Sequence, residues 1–364
     1  MKAYPIKYLL FFLPYMAALL IELFILPIQT FTFRTWESLI VQRSFGILKG
    51  PFYPNMNVSM VEEGALAYRT PWAVKKNVTW ITDKYGYRKA NSPLRRHSVL
   101  IVGDSNIAGS SLSQNELLSE VLEQRLGVSV YPLSPERLKA IHSHGLFREH
   151  APDILIMESV ERGINNFKAL SPLRPNEFQQ PSLWSQFILS IQLNDVLQKV
   201  AIVLDRLLKG NMLQYLRARI NEREPSMDQP STTPSCPTFF LQGPEVNQNA
   251  SKRQIELISK MLKESSDVLS KKGMRFIFLP VPNKETIYFD CLKTNKPDFI
   301  ERLVRRLREL NVEVIDTQAA FEEAYQKRSM LLYHLDDDHW NADGVKLTAD
   351  LLEKQIRQGG PAPR

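Results

Sequence analysis

Apolar and polar residues follow one regular regime along most of this chain. From residue 98 onward, short apolar runs separate longer amphipathic stretches, which assigns strands to 98–102, 128–131, 153–159, 275–280 and 312–316. The stretches 113–126, 135–149, 251–271, 298–310 and a last one from 343 are predicted helices. In 251–271, Ile255, Ile258, Met261, Leu262, Val268 and Leu269 share one stripe, and Gly273 closes the segment. Val99 to Val102 is apolar at every position, as a strand covered on both faces requires. Strands alternating with helices imply an α/β fold with a doubly wound, parallel five-stranded sheet.

Two regions depart from that regime. Residues 8–28 are an apolar run broken by Glu22, Pro14 and Pro27, long enough to cross a hydrocarbon core of about 30 Å. Lys2 and Lys7 precede it, which holds the amino terminus in the cytoplasm. No small-x-small cleavage pattern follows, so an uncleaved single-pass transmembrane helix is predicted, with the rest of the chain outside the cytoplasm. Residues 163–250 are too long for a loop in a compact domain and should hold structure of their own. Within them Leu189, Leu193, Val196, Leu197, Val200, Val203, Leu204 and Leu207 make one broad helical stripe. Lys199, Arg206, Lys209, Arg217 and Arg219 oppose Asp195 and Asp205 there, a surplus of three positive charges. The expectation is a helical cap packed on the domain with a solvated basic face; a helix lying on a membrane surface is the alternative. Residues 221–250, rich in Pro, Ser, Thr and Asn, read as a flexible excursion. The predicted organisation is an anchor over 1–29, a juxtamembrane region without a clear period over 30–95, the α/β domain over 96–358 with its insertion at about 163–250, and a tail over 359–364.

Candidate chemistry enters where the first strand of the sheet stops. Gly103-Asp104-Ser105 between a strand and a helix puts Ser105 at the carboxyl edge of the sheet, where open α/β folds keep their sites. A serine hydroxyl needs a base to take its proton and a carboxylate to orient that base. The run Leu335-Asp-Asp-Asp-His-Trp-Asn-Ala-Asp-Gly344 offers His339 behind Asp336, Asp337 and Asp338. Three adjacent carboxylates cannot all be buried without raised pKa values, so Asp338 is expected to face solvent. The Ser105 amide is available as an oxyanion donor by the geometry of the turn.

Serine first, then Asp and His together near the end, is the chain order of the SGNH (GDSL-type) hydrolases, and Gly103-Asp104-Ser105 resembles their first block. Trp340-Asn341 after the histidine, Val160-Glu161-Arg162 after the third strand and Val281-Pro-Asn-Lys-Glu-Thr-Ile-Tyr288 after the fourth are similar to the alginate O-acetyltransferases of the AlgJ and AlgX type. So is the Gly-aromatic-Arg segment in Thr82-Asp-Lys-Tyr-Gly-Tyr-Arg88, which reads equally as a hairpin over the sheet edge. The resemblance covers about residues 80–360 and implies an SGNH, flavodoxin-like sheet. It implies Ser105 as nucleophile and His339 as general base. The Asp-x-His-Trp form selects Asp337, and the usual SGNH spacing selects Asp336. Asp104, Arg162, Lys284 and Tyr288 become oxyanion- or substrate-binding candidates, with Glu161 orienting Arg162, and neither cofactor nor metal is implied. The glycine and asparagine of the later SGNH blocks are replaced here, by Pro132-Leu-Ser134 and Val160-Glu161-Arg162.

The same resemblance implies acetyl transfer through an acetyl-serine to a polysaccharide or oligosaccharide acceptor, in the periplasm and at the inner membrane, with a membrane-bound O-acyltransferase as partner. A glycan acetylesterase of the same fold and a non-catalytic carbohydrate-binding or assembly subunit are the alternatives. Composition narrows this a little. With 44% hydrophobic and 23% charged residues and a net charge of +7, the 364-residue chain suits a globular domain with an anionic partner. It has no helix-turn-helix, RNA-binding or zinc-finger signature, which sets nucleic acid aside. Cys236 and Cys291 sit in no metal or redox motif; as a disulfide they would close a loop worth about 4 kcal/mol, and as buried thiols they would be inert.

Overall fold

The computed structural model describes residues 4–90, 97–138, 140–143, 151–164, 183–221, 236, 238–241, 250–292 and 294–359. The amino-terminal part carries α1 (Tyr4–Phe24), α2 (Thr35–Leu39), β1 (Asn57–Glu62) and β2 (Lys76–Ile81). The sheet region opens with β3 (His97–Val102), α3 (Ser105–Ala108), α4 (Leu118–Leu126), β4 (Ser129–Leu133), α5 (Ala140–Ser143), β5 (Ile154–Val160) and α6 (Glu161–Ile164). The insertion gives α7 (Leu183–Gln192), α8 (Asp195–Lys209) and α9 (Asn211–Asn221). The chain ends with α10 (Lys252–Ser270), β6 (Arg275–Val281), α11 (Lys284–Ile287), α12 (Phe299–Glu309), β7 (Glu313–Val314), α13 (Thr317–Arg328) and α14 (Ala342–Gln358).

Strands β3 to β7 form one parallel sheet in the order β4-β3-β5-β6-β7. The order reverses between β3 and β5, which opens a crevice at their carboxyl ends. Successive side chains go to opposite layers. Val99, Ile101, Ile156, Ile277 and Leu279 pack with Leu122, Phe321 and Leu352 of α4, α13 and α14. Leu100, Val102, Leu155, Met157 and Phe278 pack with Ile258 and Leu303 of α10 and α12 on the other face. Burying each of these side chains contributes about 1.5–3 kcal/mol, so the strands' apolar runs fix their place in the centre.

Several expectations shift. The helix predicted over 113–126 divides into a single 3₁₀ turn, Gln114–Glu116, and α4, because Leu117 between them is extended at φ −65°, ψ 143°. Only 140–143 of the helix predicted over 135–149 is helical within the described residues. β7 shrinks to two residues at the sheet edge, where it pairs on one side only. The stretch 30–95, read as lacking a period, contains the antiparallel hairpin β1–β2. Its core of Leu39, Phe52, Tyr53, Val58, Val78 and Trp80 closes over Ala108 of α3 and Ala201 of α8.

The predicted transmembrane helix is not supported. Helix α1 ends at Phe24, before the apolar run does, and among the described residues no single helix is long and apolar enough to cross a membrane; the apolar helix there is Leu10–Phe24. Glu22, its one charge, is buried and accepts the Met212 N–H at 3.3 Å. The insertion departs from expectation as well. The helical stripe breaks into α7, α8 and α9, and the apolar side of α8 is exposed rather than packed on the domain. Most of the excursion over 221–250 and of the tail over 359–364 lies outside the described residues. Cys236 and Cys291 form a disulfide.

Candidate active site

Ser105 is the first residue of α3, placed just past the end of β3. Gly103 makes the turn possible by its lack of a side chain: a Cβ there would lie 2.4 Å from Glu158 Oε2 and 2.5 Å from Ile107 Cγ1. Asp104 caps α3, its Oδ1 accepting the Asn106 N–H at 2.9 Å and its Oδ2 accepting the Val160 N–H at 3.0 Å. Glu158 returns the contact by accepting the Asp104 N–H at 2.9 Å. These reciprocal bonds tie the ends of β3 and β5 together. Burial and the neighbouring Asp104 carboxylate push the Glu158 pKa well above the ordinary range. Ser134 Oγ adds a 2.5 Å bond to the Asp104 carbonyl.

Arg88, from the Gly-aromatic-Arg segment, secures the far end of α3. It is buried beneath Trp80 with its guanidinium carbon 3.8 Å from the ring centroid. It donates to the carbonyls of Ala108 at 3.0 Å, Gly109 at 2.6 Å, Leu112 at 2.6 Å and Thr79 at 2.9 Å. The segment thus does more than cover an edge: it joins the hairpin to the loop that presents Ser105.

The second half of the site comes from the loop before α14. Tyr333 and Trp340 pair across a bridge, Lys284 Nζ donates to the carbonyls of His334, Leu335 and Asp337 at 2.6, 3.2 and 3.0 Å, and Trp340 Nε1 donates to the Asn106 carbonyl at 3.3 Å. So held, His339 reaches Ser105: Nε2 lies 2.8 Å from Oγ, across a sequence separation of 234 residues. Its Nδ1 lies 2.5 Å from Asp337 Oδ1.

Each of the three adjacent carboxylates has its own positive partner. Asp336, fully buried, accepts the N–H groups of Gly64 and Val74 at 2.7 and 2.8 Å and pairs with Lys76 at 2.7 Å. It staples the 64–76 loop and does not face the imidazole. Asp337 gives one oxygen to His339; the other accepts from the Ala65 N–H at 3.1 Å and Ser111 Oγ at 3.2 Å, with Arg34 Nη1 at 3.9 Å. Asp338, expected to face solvent, is only 10% exposed; it pairs with Arg162 and stands 3.3 Å from His339 Nδ1. Burial by itself would push the His339 pKa down, but the Asp337 and Asp338 charges outweigh it and the net direction is up. Asp337 is held well below the carboxylate range, because the imidazolium and its hydrogen bonds overcome the penalty of burial.

The remaining expected ligand-binding residues divide. Lys284 and Tyr288 do not border a ligand path. Both are buried, because Lys284 holds the His339 loop and the Tyr288 hydroxyl accepts the Leu332 N–H at 2.8 Å among Tyr325 and Tyr333. Burial lowers the Lys284 ammonium to about 8 against the pull of the carboxylates around it. Asp104 is occupied by the turn and, as an acceptor, offers nothing to an oxyanion. Glu161 does not orient Arg162: it accepts from the Asn283 N–H at 2.9 Å and Thr286 Oγ1 at 2.6 Å, and burial raises it to about 7. Asp338 takes that role. Ser105, at the start of a helix, has an N–H that the helix itself cannot use.

Arg34, Ser111 and Glu158 were not anticipated. Arg34 and Ser111 carry no local signal, since each meets Asp337 across more than 200 residues of chain. Glu158 had one, a lone carboxylate inside the otherwise largely apolar run 154–160. Asp337, Asp338 and His339 also form a group whose ligand atoms lie within 4.8 Å of one another. In this arrangement both ring nitrogens and the Asp338 carboxylate already have protein partners.

The parallel sheet carries a Ser–His–Asp chain across its carboxyl edge, an arrangement able to make a serine hydroxyl nucleophilic. Residues 235–363, about a third of the chain, match the family described as SGNH hydrolase-like domain, acetyltransferase AlgX. The chain resembles the SGNH superfamily and, within it, the AlgX and AlgJ group. That match spans Asp337, Asp338 and His339, and Ser105 lies outside it. The lipase/acylhydrolase from Enterococcus faecalis aligns over 74% of this chain and all of its own, at 13% identity and a TM-score of 0.37, too loosely to carry an argument. No curated protein matches.

Proposed function

We propose that the chain is a membrane-associated, serine-dependent O-acetyltransferase that acts on an extracytoplasmic polysaccharide. The observation that carries this reading is the contact of His339 Nε2 with Ser105 Oγ, with Asp337 behind the ring. In the first step Ser105 Oγ attacks the carbonyl carbon of a donor acetyl ester while His339 takes the hydroxyl proton. The Ser105 amide and the Arg162 guanidinium stabilise the oxyanion. As the intermediate collapses, His339 returns the proton to the departing donor oxygen, and acetyl-Ser105 remains. A sugar hydroxyl then gives its proton to His339 and attacks the acetyl carbon, and Ser105 leaves with that proton. Asp337 and Asp338 stabilise the imidazolium formed in each half.

The surroundings support the setting. A disulfide between Cys236 and Cys291 suits an oxidising compartment, and the net charge of +7 suits an anionic glycan or surface. Exposed apolar side chains along α1, among them Tyr8, Phe11, Phe12, Leu13 and Phe24, favour contact with lipid. The reading also includes a membrane-bound O-acyltransferase as donor-side partner, on the resemblance alone. The test is to supply a small acetyl ester with and without an oligosaccharide and to weigh the products. Acetylated sugar that disappears in Ser105→Ala is the expected result. Free acetate as the sole product would make the protein an esterase, and turnover unchanged in Ser105→Ala would overturn the serine mechanism.

A further inference from the structure

Helix α8 is amphipathic with its polar side turned inward. Asp205 is fully buried and accepts the N–H groups of Gln42 and Arg43 at 3.1 and 2.7 Å and the Tyr53 hydroxyl at 2.8 Å. Lys209 Nζ donates to the carbonyls of Glu37 and Ile40 at 2.6 and 3.2 Å, and Gln198 Nε2 to those of Lys84 and Gln192 at 2.9 and 2.7 Å. These bonds fix the rotation of the helix. The opposite side therefore presents Val196, 68% exposed, Val200, 51% exposed, and Leu204 and Leu208 outward. Trp184 and Phe187 of α7 are exposed as well. A helix that buried its apolar stripe would be more stable in water by roughly 1.5–3 kcal/mol per large side chain, so this orientation needs an apolar medium outside it.

We propose that α7 and α8 dock on a lipid bilayer, with the apolar side of α8 at the level of the acyl chains. Three observations favour lipid over a protein partner. Helix α1, whose own side chains are exposed and apolar, is clamped to α8: Arg206 donates to the carbonyls of Glu22 and Leu23 at 2.7 and 2.9 Å. Lys199 of α8 and Arg217 and Arg219 of the following α9 are exposed and complement anionic headgroups. Trp184 stands at the start of the segment, and indole rings favour the bilayer interface. The docking also bears on the site. Lys209 holds α2, α2 follows directly on Arg34, and Arg34 approaches Asp337. Seating α8 on the bilayer thereby sets how the Ser105 edge faces the membrane. The inference rests on the reading that α1 associates with lipid, and goes beyond it by adding a second, oriented contact.

The full chain is reconstituted with vesicles of phosphatidylethanolamine and phosphatidylglycerol, with and without bromine on the acyl chains. Flotation reports association, and the difference in emission between wild type and Trp184→Phe reports Trp184. The expected result is quenching of the Trp184 component by brominated lipid, lost in Val200→Glu/Leu204→Glu. That variant, at exposed positions, should keep its circular dichroism, its flotation through α1 and its activity on soluble acetyl ester. Flotation with an unquenched Trp184 would overturn the docking and leave the α1 reading standing. Absence of flotation would overturn both. A detergent-solubilised dimer that Val200→Glu/Leu204→Glu converts to monomer would overturn it in favour of a second copy on that face.

Discussion

The loop 334–341 and helix α8 both bury carboxylates and lysines, yet they use them differently. In α8 the buried Asp205 and Lys209 end on backbone or on a tyrosine: Asp205 holds Gln42, Arg43 and Tyr53, and Lys209 holds α2. Asp336 holds the Gly64 and Val74 N–H groups and Lys76, and Lys284 holds the carbonyls of the loop. The loop differs at one position, Asp337, which spends one oxygen on a ring that touches a hydroxyl. Buried charge by itself therefore marks an anchored chain. Chemistry becomes available only where such a charge polarises a group with a free reaction partner.

The largest expected contrast is between Ser105→Ala and Asp205→Ala. The first should lower acetyl turnover by about 10³-fold or more with an unchanged melting curve. The second should leave turnover per folded molecule unaltered and lower stability by about 3 kcal/mol, because three donors, the buried Tyr53 hydroxyl among them, lose their acceptor. Equal loss of turnover in both would erase the distinction. A sharper version sits on neighbouring residues. Asp337→Asn should cost about 10²–10⁴-fold in turnover through the wrong imidazole tautomer. Asp336→Asn, by leaving Lys76 unpaired, should cost about 3 kcal/mol in chemical denaturation and little in turnover. If Asp336→Asn proves the more damaging to turnover, the carboxylates have been assigned in reverse.

The smallest effect is on pH. His339 must be neutral to accept a proton, and the Asp337 and Asp338 charges raise its pKa, so turnover should climb with pH through a midpoint above the ordinary imidazole value of about 6.5. Asp338→Asn removes one raising charge and should move that midpoint to lower pH. The same shift contributes to folding stability: it is fully present below about pH 6.5 and is lost as pH rises through the folded-state value. A midpoint that stays in place in Asp338→Asn would show that Asp338 does not act on the ring.

Much of the sheet is legible in single segments. Val99 to Val102, Ile154 to Met157 and Phe276 to Leu279 are apolar on both alternations, and no other element accommodates such short runs as well. Hairpin β1–β2 is not, because its strands mix buried Val58, Val78 and Trp80 with polar residues on the open face. Ser105 and His339 stand out by residue type next to a turn and a carboxylate run. Which carboxylate reaches the ring does not, since Asp336, Asp337 and Asp338 differ only in partners brought from Lys76, His339 and Arg162.

The amino-acid sequence by itself determined where the strands and most helices lie, and that a serine closes one strand while a histidine precedes the last helix. These follow from local periodicity and turn chemistry, which act over a few residues. Tertiary structure decided the rotation of α8, the burial of Lys284 and Tyr288 and the division of labour among the three carboxylates. Each depends on hydrogen-bond partners supplied by distant segments, and a buried polar group takes whichever partner the fold delivers.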